Sequence, residues 1–483
     1  MKKNNKNLYL VILCIVALVF LILTVFLHVN KQQNTLRVSI NKPITTLDIS
    51  KAVNHNDLTV LLNTEEGLYR LNKDNIPQKA LAKKVQVYDN GTKWIITLRK
   101  AYWNNGQRIT ANDFVYSWRR TNTLPNAPYA YLFKNIKNAT SVQNGRLSTD
   151  KLGIHALNRE KIELLLNEPQ NNLKQLLCFP TFFPQKKSMV YRNQHDYGLS
   201  ASKQLYSGPF LVKKWKGLNS VFLLQKNKDY WDASNVHLKY IKYIVSPDSR
   251  KSMSLFDNNK LDIMSLKGAQ NIEYKDDKDY KNYAGYDLGY LQVNLHSKKI
   301  NNNMDLVNGL ATSINKKKLA NFIMHGQYKC ANRIIPNKLQ KNNGPKFIYN
   351  FNVAKQNIQK ANIQKIKLKL LFTSDYFNEN EARFIQYELN RLPNVSVDLK
   401  EESLPNYLTD LYNGNYDLAL KQKIPTFFDP NALLNKSINT YQIPLFWFAK
   451  YGGGPSLQKN RVKGLIYHPI GINWDYKNVR LNN

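Results

Sequence analysis

Carboxylates are scarce in this chain: 34 Asp and Glu stand against 70 Lys and Arg, a formal charge of +36. Such an imbalance speaks about partners rather than about fold. The basic residues are spread along the whole chain, with no run longer than Lys316-Lys317-Lys318. Zinc-finger spacing, an RNP-like motif and a basic tail are all missing, which excludes nucleic acid as the partner and leaves cell-wall polyanions as candidates. Cysteine is scarce too, at three, too few for a disulfide framework. Cys14 lies in an apolar run; Cys178 and Cys330 could pair, although Cys178, in Leu176-Leu177-Cys178-Phe179, reads first as a small buried hydrophobe. The eight His are dispersed and join no Cys, so neither a metal site nor any other cofactor is implied. No nucleophile–base pair or phosphate-cradling loop has recognisable spacing, and an enzyme is not expected. Gly452-Gly453-Gly454 lacks a following Lys-Ser/Thr and reads as a turn. Repeats and long Pro/Gly/Ser linkers are absent, so the bulk of the chain reads as one compact assembly.

What is present is a chain of 483 residues with 43% hydrophobic and 12% aromatic content, enough to bury a large core. Met1-Lys2-Lys3-Asn4-Asn5-Lys6 precedes twenty mostly apolar residues, Leu8 to Leu27. That length spans a bilayer, and the leading lysines keep the N-terminus inside. No Ala-x-Ala pattern follows. Leu13, rather than a small residue, precedes Cys14, so an uncleaved signal anchor is favoured over a lipid anchor. The expectation is a single-pass cell-membrane protein with its binding domain extracellular.

Beyond Thr35 the pattern alternates strands and helices. Leu36 to Ile40, Lys93 to Leu98, Lys161 to Leu166 and Ile366 to Leu370 have period-two alternation. Ala111 to Trp118 reads as a helix capped by Thr110, and Glu379 to Leu389 has helical spacing. The pattern implies an α/β protein with mixed sheets.

Several blocks occur in a telling order. Leu47-Asp48 and Glu66-Gly67-Leu68-Tyr69-Arg70 are followed by Asp89-Asn90-Gly91-Thr92-Lys93-Trp94, Trp103-Asn104-Asn105-Gly106 and Thr110 to Arg120. Ser207-Gly208-Pro209-Phe210, Lys226 to Trp231, Leu261-Asp262-Ile263, Gly289 to Asn294 and Val462 to Pro469 come next. This ladder resembles the family 5 solute-binding proteins of ABC transporters (oligopeptide, dipeptide and nickel), in particular the oligopeptide type from Gram-positive bacteria. The resemblance implies a type II periplasmic-binding-protein-like fold of three lobes with a hinged ligand cleft, behind one N-terminal transmembrane helix. The anchor and stalk would occupy residues 1–34. Lobe I would take 35–67, 180–266 and 465–483, lobe II 68–179, and lobe III 267–464. The implied partners are an oligopeptide, paired through its backbone between the lobes, and an ABC permease.

The chain departs from the family in three places. The resemblance places an ammonium-binding Asp at Thr426 and a Trp at Lys423, counting back from Asp429-Pro430. A neutral Thr cannot make a charge-assisted bond to an ammonium group. Lys421 and Lys423 would repel one, and Pro425 removes an N–H. Only residues 431–442 separate Pro430 from Ile443, a shortening of lobe III between 430 and 443. Leu306 to Leu310 stands where an Arg is expected. The ligand-facing candidates are therefore Asn56, Asp57 and Leu58 on lobe I, with Lys421, Gln422, Lys423 and Thr426 on lobe III. Asp57 reads either as a partner for a cationic ligand group or as a helix N-cap. The lysines read as a carboxylate site or as edge-strand charges that discourage aggregation. The alternative to peptide capture is a surface-interaction or peptide-signal paralogue that kept the scaffold and lost the family's mode of capture.

Overall fold

The structure, a computed structural model, describes residues 13, 34–215, 221–266, 270–324, 326, 328–339, 345–374, 376–434, 437, 439–448 and 453–482. The apolar run expected to cross the membrane lies outside them, save Leu13. Among the described residues no helix is long and apolar enough to cross a membrane.

Three sheets organise the chain. The first has seven strands, in the order Tyr280–Tyr283, Gly454–Gln458, Ile263–Ser265, Thr35–Ile40, Tyr240–Val245, Val221–Lys226, Phe210–Lys214. Thr35–Ile40 runs parallel to both of its neighbours, while the remaining pairs are antiparallel. Alternation explains its place: Leu36 and Val38 go into the core. Arg37, between them, turns to the Asp262 carboxylate at 2.9 Å. The second sheet has four antiparallel strands, in the order Ala82–Tyr88, Lys93–Leu98, Lys161–Leu165, Ile154–Ala156. The third has six strands, Lys329–Cys330, Thr440–Phe448, Asp287–Asn294, Leu418–Lys423, Ile366–Phe372, Val395–Glu401. Asp287–Asn294 lies inside that sheet and is buried at every position. Tyr280–Tyr283 and Gly454–Gln458, within 267–464, pair in the seven-stranded sheet.

One hydrophobic core runs from Leu36 to Val479 and joins the first two sheets. A second, from Leu291 to Phe448, belongs to the six-stranded sheet and its helices. The helix Ala111–Thr123 starts at Thr110, whose N–H donates to the Asp113 carboxylate at 2.8 Å. It carries Trp118 into the first core, where the ring meets Phe133 and Phe182 edge-on. Buried ion pairs lock these units together. Arg120 grips Asp48 with two bonds of 2.8 and 2.7 Å. Arg70 reaches Asp475 at 2.6 Å and Glu66 at 3.2 Å, tying residues 66–70 to the strand Trp474–Asp475. Cys178 and Cys330 are both free thiols.

Candidate functional site

The first group of candidates sits on the helix His55–Thr64. Asn54 is its N-cap residue, in extended conformation, and accepts from Leu58 N–H at 3.0 Å through its carbonyl. Asp57 is not the cap: it is the third helical residue, fully buried, and its carboxylate accepts from Thr45 N–H at 2.7 Å and Thr45 Oγ1 at 2.6 Å. Burial raises its pKa and the Thr45 bonds lower it. These bonds commit the carboxylate to holding the loop before the helix. Leu58 points into the core. Asn56 is half-buried and donates to the Lys42 carbonyl at 2.7 Å.

Asn56 lines a cavity of about 540 Å³ at the N-terminal end of this helix, within the ordinary range for ligand pockets. Asn54, Thr59, Ser246, Tyr243 and Trp474 line it too. A chain of hydroxyls forms one wall: Ser252 Oγ donates to Ser246 Oγ at 2.9 Å and lies 3.2 Å from Ser39 Oγ. Among the described residues no carboxylate lines it, and Lys42 is the one formally charged side chain that does. Burial drives His55 down to about 3, so its ring is neutral. Neither Asp57 nor Leu58 lines this cavity, nor does any of the candidates on the six-stranded sheet.

Those candidates belong to the strand Leu418–Lys423, whose Leu288–Val293 partner strand is antiparallel to it. The strand lies inside the sheet, so the edge-strand reading of its lysines does not hold as stated: its first half also pairs with Leu370 and Leu371. Beyond Ala419 that second neighbour falls away, and the side chains take over. Gln422 donates to the Tyr376 carbonyl, and Lys423 Nζ donates to the Leu434 carbonyl at 2.7 Å. Lys421 is half-buried; burial first, then the neighbouring Lys423, lowers its pKa.

The chain leaves this strand through Ile424 and Pro425 and crosses to the unit of the four-stranded sheet. Thr426 Oγ1 lies 2.9 Å from the Tyr131 hydroxyl. Asn172 Nδ2 donates to the Asp429 carboxylate at 2.8 Å. Between these two bonds Phe427 packs against the first core, and Phe428 against a small cluster containing Ile470 and Leu433. The two rings wall a slot shared with Cys178, Phe179 and Ile472, in which only about 20 Å³ remains open. That is room for roughly one water. Sequence reasoning found Thr426 but missed Thr59, Tyr131, Asn172, Phe427 and Phe428. Only the adjacent aromatic pair beside Pro425 offered a signal, because apolar rings in a segment that follows a polar strand must find cover somewhere.

Over residues 77–442 the chain matches the family described as bacterial extracellular solute-binding proteins, family 5, middle region. It is 28% identical over 450 residues to the dipeptide-binding protein of Lactococcus lactis subsp. cremoris, covering 87% of this chain and 82% of that one. With the oligopeptide-binding protein OppA of Bacillus subtilis it shares 24% over 422 residues, covering 83% and 77%. Among solved structures, Listeria monocytogenes OppA bound to peptide is similar with a TM-score of 0.69 at 27% identity, covering 93% of this chain and 99% of that one. The unliganded open form of the murein tripeptide binding protein MppA gives 0.79 at 18% identity, covering 93% and 97%, a likeness of fold.

Proposed function

This chain belongs to the bacterial extracellular solute-binding proteins of family 5, and on that premise we propose that it captures oligopeptides outside the cell and delivers them to an ABC importer. The observation that carries the reading is likeness over nearly the whole chain to proteins named for dipeptide and oligopeptide binding. The three-sheet architecture supports it, because two cores joined by crossing strands can hinge about a ligand. On this reading the lobes are 35–67 with 180–266 and 465–483, 68–179, and 267–464, the last less the strands Tyr280–Tyr283 and Gly454–Gln458, which go with the seven-stranded sheet of the first lobe, and Asn56 marks the first-lobe side of the ligand site. Lys421, Gln422, Lys423 and Thr426 mark the third-lobe side. The apolar run Leu8 to Leu27 would hold the protein at the membrane, with its partner permease in the same bilayer. Two basic grooves support a contact with cell-wall polyanions: one includes Lys100 and Arg159, the other Lys365 and Lys369. No reaction is part of this role.

The test is mass spectrometry of small molecules released by denaturing the purified full chain. A set of peptides is the expected result. A blank from protein that is folded by circular dichroism and binds no added peptide of any length would overturn the reading.

A further inference from the structure

Three stretches that lie far apart in the sequence bring basic side chains to one groove beside the four-stranded sheet. The first is a tight turn closed by the Tyr102–Arg108 bridge, in which Trp103 N–H donates to the Gln107 carbonyl at 2.8 Å and Gly106, at φ +80°, lets the chain reverse. Alternation sends Ala101, Trp103 and Ile109 into the core and leaves Lys100, Tyr102 and Arg108 on the outer side. The second is the turn between Ile154–Ala156 and Lys161–Leu165, which carries Arg159. Its carbonyl accepts from Ala111 N–H at 3.0 Å, which fixes the turn beside the helix Ala111–Thr123. The third begins at Lys186, whose ammonium meets the Asp113 carboxylate at 3.4 Å. Together they line a groove of about 620 Å³ with four cations and, among the described residues, no carboxylate.

Only two of those cations are neutralised: Arg108 by Glu160 and Lys186 by Asp113. The Arg159 side chain is exposed and has no acidic partner among the described residues, and Lys100 meets only the Tyr102 ring, at 5.8 Å. The basic groove on the six-stranded sheet differs. Asp398 lines it, and Lys299, Lys367 and Lys400 answer to Asp417, Asp398 and Glu402. An anion entering there meets carboxylates; one entering the first groove meets cations alone.

From this geometry we infer that the groove lined by Lys100, Arg159 and Ser188 is the polyanion site of the molecule, and that it takes the phosphodiesters of a phosphate-linked polyol chain. This narrows the wall contact proposed above to one groove and one kind of anion, and it rests on that contact rather than on peptide capture. The two free oxygens of a phosphodiester diverge from a tetrahedral centre. One can lie on the Arg159 guanidinium while the other reaches a cation from a different stretch, such as Lys100. A carboxylate keeps both oxygens in one plane, where a single guanidinium fork takes them both. The polyol hydroxyls between phosphates both donate and accept, as do the Ser188 hydroxyl and the Gln107 amide in the lining. Arg108 and Lys186, held in place by their carboxylates, keep the field of the groove positive. Each phosphate that is neutralised releases its counterion, so binding is strongest at low salt.

The experiment is calorimetric titration of the full chain at low salt with a short poly(glycerol phosphate), and with a polygalacturonate of equal charge. The phosphate polymer is expected to bind at least about tenfold more tightly than the carboxylate polymer. Lys100→Ala with Arg159→Ala should weaken it by about tenfold or more, and Lys365→Ala with Lys369→Ala by less than about twofold. Arg159→Lys alone, which keeps the charge and loses the planar fork, should weaken it by about threefold. Circular dichroism checks the fold of every variant. Equal losses in the two double variants, full affinity in Arg159→Lys, or equal binding of the two polymers would overturn the inference while leaving a polyanion contact standing. Binding to phosphatidylglycerol vesicles without binding to the polymer would overturn it in favour of a lipid headgroup. Failure of both polymers and the vesicles to bind overturns the wall contact and this inference together, and leaves peptide capture untouched.

Discussion

At the scale of single residues, several positions that carry the family likeness are structural charges. Asp48 is fully buried and meets Arg120; Glu66 and Asp475 are buried around Arg70, and the Tyr230 hydroxyl donates to Glu66. Such pairs contribute little net stability against apolar replacements, but losing one partner strands a buried charge. Glu65 is a different case. It is buried and accepts from Ser207 Oγ and Gln204 Nε2, each at 2.7 Å, yet burial pushes its carboxyl up from the usual 4.5 to about 8. Because the folded value lies above the unfolded one, the folded state holds this proton more tightly. Its stabilising contribution is complete below about pH 4.5 and is lost as pH rises toward 8. Glu65→Gln, which has no proton to lose, should gain up to roughly 5 kcal/mol over the wild type above pH 8, at about 1.4 kcal/mol for each pH unit between 4.5 and 8, and nothing near pH 4.5. Denaturant midpoints measured across that range check it; a difference independent of pH would remove the argument. Asp57 shows the limit of reading single residues. A carboxylate near a helix start suggests a cap or a ligand partner, and only the folded loop reveals that Thr45 already occupies it.

At the scale of elements, local rules held where local physics governs. The strand Lys93–Leu98 and the helix Ala111–Thr123 begin where alternation and the Thr110 cap place them. The helix Glu379–Asn390 starts at an Asn378 cap boxed with Glu381. The crossing segment Ile424–Pro430 obeys no local rule, since its only regular piece is the short turn Pro430–Leu433. Its placement hangs on Gly471, which has φ +77° and meets the Phe427 backbone. Gly471→Ala should therefore cost more than about 1 kcal/mol, from the left-handed backbone and the contact together. Limited proteolysis should then cut near Phe427 and Phe428 faster than in the wild type. An unchanged cleavage pattern would mean that the segment is held by the hydrogen bonds to Tyr131 and Asn172 alone.

At the scale of the whole molecule, charge is the unusual property. The excess of +36 is partly gathered into grooves: Arg108 and Lys186 in one are neutralised by Glu160 and Asp113. Lys299, Lys367 and Lys400 in the other also have acidic partners. A polyanion would find Lys100, Arg159, Lys365 and Lys369 beside them. The full chain should be retained on immobilised polyphosphate at low salt and released by about 0.5 M, where exposed charges are screened. Indifference to the matrix at low salt would reject a wall contact.

The sequence by itself determined the α/β class, the family and most regular elements. Alternation, caps and the order of motif blocks are expressed over a few residues each, so a linear reading meets them intact. It also exposed the neutral Thr426 at the expected anchor position. What only the tertiary structure decided is where Thr426 and its neighbours go. Thr426 meets Tyr131 across 295 residues of sequence, and Asn172 meets Asp429 across 257. Which segment fills a slot depends on surfaces that distant parts of the chain present only after they have packed.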